Sequence, residues 1–152
     1  MTAHVSSSLD VLHARVHRAR LLKGFTWFTR VLLAIGFIPP GLVKALGFPF
    51  TNIDPSAPIG YFFDALHQSG FFYNFIGACQ VIAAVLLLVP RVATLGALMY
   101  FPLICGIFVV TLSLNFGGTR VIAGLMLLGN IYLLCWDYDK LKPILGGRAS
   151  TG

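Results

Sequence analysis

An all-α fold, a four-helix transmembrane bundle with short interfacial amphipathic helices, is what this sequence predicts, and three observations predict it. Residues 71–89, FFYNFIGACQVIAAVLLLV, run without a charge. At about 1.5 Å per helical residue they reach roughly 28 Å, the thickness of a hydrocarbon core. Three further stretches, 25–46, 92–114 and 120–136, have the same character. Composition agrees: of 152 residues 57% are hydrophobic and 11% charged, with a mean hydropathy of +0.85, against about 25% charged in an ordinary soluble domain. So few charges cannot coat a surface against water, and lipid is the solvent that tolerates it.

The net charge of +6 comes from eleven Lys and Arg against five acidic residues. All five acids are Asp. The basic residues cluster beside the apolar stretches and form no basic groove with stacking aromatics, which excludes nucleic acid as a partner. The expected partner is the lipid bilayer and its anionic headgroups. One membrane domain, 25–145, takes most of the length. It follows a cytoplasmic amphipathic segment, 1–24, and precedes a flexible tail, 146–152.

In chain order, Leu9, Leu12, Val16 and Ala19 recur at helical spacing with Arg15, Arg18 and Arg20 between them. They predict a basic helix, reaching Lys23, that lies on the membrane surface. So long a basic region argues against a cleaved signal peptide. The first span, 25–46, carries Arg30 near its start, Lys44 near its end and Pro39-Pro40-Gly41 between, where a kink or local unwinding is expected. Residues 47–70 begin as Pro-rich loop and continue into one or two amphipathic turns over 59–67, anchored by Tyr61, Phe62 and Phe63. The second span, 71–89, is closed by Pro90-Arg91, which turns into the third, 92–114. The glycines of NFGGT, 115–119, suit a tight reversal into the fourth, 120–136. Trp136 and Tyr138 then mark the water boundary of a polar, basic tail.

Orientation follows from Lys and Arg by side. Arg15, Arg18, Arg20, Lys23, Arg91, Lys140, Lys142 and Arg148 fall on one side, and only Lys44 and Arg120 on the other. The positive-inside rule makes both termini cytoplasmic in a multi-pass protein of the cell inner membrane.

A charge inside lipid is costly enough to need a reason. Arg30 either snorkels to the headgroups or faces the bundle and grips an acceptor. Residues 30, 34, 37, 41 and 44 share one helical face, which reads Arg-Ala-Phe-Gly-Lys. The second span has a matching stripe of Tyr73, Gly77, Gln80, Ala84, Leu87 and Arg91. The third offers Tyr100 and Thr111 with Asn115 at its end, and the fourth Thr119, Ala123, Met126, Asn130 and Asp137.

Two readings of these polar residues stand open. In one they join helices, at under about 1 kcal/mol per hydrogen bond. In the other, Lys44, Asn74, Gln80, Thr111 and Asn115 line a pocket near the outer half, capped by Tyr61, Asp64 and His67, with Arg30, Tyr100 and Asn130 as further ligand-binding candidates. An amphiphile headgroup or a quinone suits such a pocket. Pairing of Lys44 with Asp54 or Asp64 would instead be structural.

No catalytic residue or metal-ligand set is legible. The cysteines Cys79, Cys105 and Cys135 lie in three different spans without CxxC spacing. The histidines His4, His13, His17 and His67 lie outside the spans, so none can ligate haem between helices. HExxH, Walker and GxSxG motifs are absent.

Arg30 with Gly41-Leu42-Val43-Lys44, Gly77 with the run Leu86 to Arg91 (LLLVPR), and Gly96-Ala97 give the chain its likeness to a known family. Over roughly residues 25–145 it resembles the DoxX-like membrane proteins of bacteria, small four-helix proteins. The resemblance implies a membrane-protein partner, since some relatives look like subunits of quinone-linked sulfur oxidoreductases. This chain departs from the family's pattern at Gln80, where a glutamate is common, and in its Cys135-Trp136-Asp137-Tyr138-Asp139 ending. An amide cannot exchange a proton, which weakens a redox role.

The expectation is therefore a non-catalytic accessory or assembly subunit of a membrane complex, and not a free-standing enzyme. The alternatives are a quinone-interacting subunit of a membrane oxidoreductase and a small transporter of an amphiphile or anion. The quinone is the one cofactor in view. Aliphatic faces and small pairs such as Ala93 and Ala97 also permit a homo-oligomer.

Overall fold

The computed structural model describes residues 20–145, so most of the expected surface helix and the tail lie outside the described residues. Six helices follow in order: α1 (Arg20–Ala45), α2 (Pro58–Gln68), α3 (Phe71–Leu88), α4 (Ala93–Ser113), α5 (Thr119–Trp136) and α6 (Tyr138–Leu145). The described residues contain no strand.

α1, α3, α4 and α5 are each long and apolar enough to cross a membrane. They form a four-helix bundle in which α1 packs along α3, α3 against α4 and α4 against α5, with a thinner seam returning from α5 to α1. Large apolar side chains face outward on all four, among them Ile35, Phe75, Val109 and Leu125. Water would penalise that surface, whereas lipid matches it. This is a multi-pass membrane protein.

The helices depart from sequence expectation in three places. α1 is already helical at Arg20, the first described residue, so residues 20–24 continue the first membrane helix. α1 also stays helical through Pro39 and Pro40, with no unwinding. The prolines withhold the N–H groups that Ile35 and Gly36 would otherwise accept from, but the rest of the ladder holds. Lastly, the turns expected at 59–67 extend into an eleven-residue helix with Pro58 at its first position, where a missing N–H costs nothing.

Three glycines set how closely the helices approach. A Cβ on Gly41 would lie 3.0 Å from Gln80 Cβ, and one on Gly77 would lie 2.6 Å from the Gly41 carbonyl oxygen. α1 and α3 therefore cross nearly backbone to backbone. Gly96 does the same for α4 and α3, since its Cβ would meet the Leu87 amide at 2.6 Å. Between these crossings Phe37 stacks on Tyr100 with ring centroids 3.7 Å apart, and Leu33, Ala84, Leu87, Ala97 and Ile104 complete the core.

The turn between α4 and α5 holds Asn115 at φ +48° and Gly117 at φ +29°. Asparagine tolerates that left-handed conformation better than other non-glycine residues. α2 lies over the bundle end where α1 finishes and α3 begins. α6 continues from α5 at the opposite end.

Candidate functional site

The glycine crossing places the first pair of candidate residues. One turn beyond Gly41 on α1 comes Lys44, and one turn beyond Gly77 on α3 comes Gln80. With the backbones in contact, their side chains meet: Lys44 Nζ donates to Gln80 Oε1 at 3.1 Å. Lys44 is 6% exposed and Gln80 1%. An ammonium has only donors, so it takes the amide oxygen and turns the Gln80 NH2 away. That NH2 has no acceptor among the described residues. The ammonium also sits 4.2 Å above the Phe50 ring, an attraction that partly replaces lost hydration.

Lys44 and Gln80 open onto a cavity of about 440 Å³ at the α2 end of the bundle. This is within the usual size of ligand pockets, about 300–1,000 Å³. All four long helices contribute to its wall, including Phe37 and Pro40 from α1, Ile76 from α3, Ile107 and Thr111 from α4, and Ala123 and Met126 from α5. Its lid is aromatic. Phe50 and Phe63 lie 5.1 Å apart, Phe62 and Phe63 5.4 Å, and Phe63 and Phe116 6.1 Å. Exposed Phe72, Gly106 and Ile122 form part of the rim. Among these lining residues Lys44 is the one charge. No described carboxylate lies within ion-pair distance of it.

The other intramembrane charge is neutralised at the opposite end. Arg30, 9% exposed, donates from Nη2 to Asp137 Oδ2 at 3.3 Å. Asp137 also accepts from Thr94 at 3.0 Å and from Lys140 at 2.9 Å. Arg30 thus faces inward and grips an acceptor of its own chain. Its Nε has no hydrogen-bond partner among the described residues.

The structure brings together three of the sequence candidates, Lys44, Gln80 and Thr111, at the cavity. Thr111 Oγ1 donates to the Phe108 carbonyl at 2.8 Å and keeps acceptor capacity. The remaining candidates lie elsewhere. Asn74 is exposed beside Gly47, and Asn115 is exposed in its turn, accepting from Arg120 at 2.6 Å.

Tyr100 and Asn130 are buried helix-to-helix links. The first donates to the Leu33 carbonyl at 3.1 Å and the second to the Ala97 carbonyl at 3.2 Å. Of the expected cap, Tyr61 is exposed, Asp64 accepts from Gln68 at 2.7 Å, and His67 Nε2 bonds the Gly47 carbonyl at 3.0 Å. The lid comes instead from Phe62, Phe63 and Leu66, another face of the same helix.

Neither surface aspartate reaches Lys44. Asp54 accepts the Ser56 N–H at 2.8 Å, which holds its carboxyl below the usual range. Sequence reasoning missed Phe50, Phe116 and Thr119 as lining residues and Thr94 as a partner of Asp137. Phe50 carried a signal: it lies six residues beyond Lys44 in a loop long enough to fold back.

Fold and site together define a multi-pass helical membrane protein with a polar spot set into an apolar cavity. The chain is 33% identical over 124 residues to a protein of Bacillus subtilis (strain 168) described as uncharacterized protein YwoB; the match covers 76% of this chain and 78% of that protein. The chain belongs to the same family as that protein. No family model matches the chain, and no solved structure matches it.

Proposed function

We propose that this chain is a DoxX-like protein of the bacterial inner membrane, a non-catalytic subunit of a membrane complex that holds an amphiphile between its helices. One observation carries the reading: a largely apolar cavity whose single lining charge, Lys44, has no counter-ion among the described residues. A lysine serving only to join helices would have no need of the space beside it. Desolvating an ammonium is costly, and a ligand placed there offsets that cost.

The DoxX-like resemblance adds support, because Gly41, Gly77 and Gly96, which carry it, are the residues at which helices touch. Both termini are cytoplasmic by the distribution of Lys and Arg, so the cavity sits in the outer leaflet half under α2.

Gentle affinity extraction from the native membrane tests this reading. The expected result is one co-purifying polypeptide in fixed ratio and one small amphiphile in the organic extract of the eluate. A bare chain with neither would overturn the proposal. A quinone in the extract would favour the quinone-linked subunit.

A further inference from the structure

The head of the cavity has a definite hydrogen-bonding character. Lys44 spends one N–H on Gln80 and presents another face to the Phe50 ring. Gln80 presents its NH2 without an acceptor among the described residues. The groups left over are donors, and they carry one net positive charge. Two donors on adjacent helices match a group that only accepts, and a carboxylate is acceptor-only with two oxygens. One buried cation is neutralised by one monoanion, whereas a phosphate dianion would leave an uncompensated charge in an apolar wall. The remainder of the cavity, Phe37, Phe62, Phe63, Ile76, Ile107 and Met126 among it, suits a hydrocarbon body, with the Thr111 and Thr119 hydroxyls as its other polar groups and no further charge.

We infer that the cavity binds a single-chain amphiphilic carboxylate, its head bridging Lys44 Nζ and Gln80 Nε2 and its chain lying under the phenylalanine lid. The inference rests on the amphiphile-holding reading above and names the head that reading leaves open.

The test uses full-length protein in phosphatidylcholine nanodiscs, titrated separately with palmitate, methyl palmitate and decylubiquinone, and read by native mass spectrometry. Palmitate is expected to bind one per chain and at least tenfold more tightly than its methyl ester. Gln80→Glu keeps the side-chain shape while giving Lys44 an internal counter-ion, so it should abolish the preference for palmitate. Lys44→Gln should bring palmitate down to the affinity of the ester. Val110→Phe, which adds bulk to the cavity wall, should weaken both.

Equal binding of palmitate and ester by the unaltered protein, or a preference that survives Gln80→Glu, would overturn the carboxylate assignment. In that case decylubiquinone binding that is lost in Val110→Phe would leave the cavity reading standing. If Val110→Phe affects none of the three probes, both readings fall.

Discussion

At the scale of single residues, two intramembrane cations show opposite solutions to the same electrostatic problem. Arg30 is satisfied within the chain by Asp137, which Thr94 and Lys140 also contact. Lys44 is given an amide and a ring, and space beside them. The Arg30–Asp137 pair is a structural device. Asp137→Ala should destabilise the bundle by about 3 kcal/mol, the low end for breaking a buried pair. Lys140 is exposed, and Lys140→Ala should cost under about 1 kcal/mol. Thermal unfolding of the two variants in the same detergent separates them.

The sequence named Lys44, Gln80 and Thr111 as candidates because each interrupts an apolar helix face where a polar group needs a partner, and the structure sets all three around one cavity. It could not separate them from Tyr100 and Asn130, which donate to backbone carbonyls of neighbouring helices. Periodicity reports the face of a residue, not the atom opposite.

At the scale of elements, the α1–α3 crossing governs the site. Gly77→Leu would drive a side chain into the Gly41 carbonyl and Lys44 Cβ. It should part the two helices, separate Lys44 from Gln80 and lower the unfolding temperature sharply. Gly24→Ala meets nothing within 4 Å and should be neutral or stabilising by up to about 1 kcal/mol through helix propensity. Fluorescence-detected size exclusion across a temperature series measures both.

The buried stripes of α1 and α3 were legible in advance, and every member from Arg30 to Lys44 and from Tyr73 to Leu87 is buried. The lid was not. Sequence reasoning took the polar face of α2, Tyr61, Asp64 and His67, as the cap of a polar pocket. The cavity wall is mostly apolar, and α2 turns Phe62, Phe63 and Leu66 toward it instead.

At the scale of the whole molecule, the four spans were the most legible feature, because an uncharged helix of membrane length has few other homes. Their ends moved by a residue or two except at Arg20, where an arginine-bearing turn joined the first span. Reporter fusions measure the topology directly. A fluorescent protein fused to the C-terminus should be bright in the cytoplasm, and alkaline phosphatase inserted near Ser56 should be active outside it. The reverse pattern would place the cavity in the inner leaflet half.

The central claim is that the space beside Lys44 is a ligand site. Native mass spectrometry of the protein released gently from its own membrane tests it most directly, comparing the unaltered chain with Val110→Phe. The unaltered chain should carry a discrete added mass, one small amphiphile per protein, and Val110→Phe should have lost it. A bare mass for both, or the same adduct on both, would contradict the claim and leave Lys44 and Gln80 as a bond between two helices.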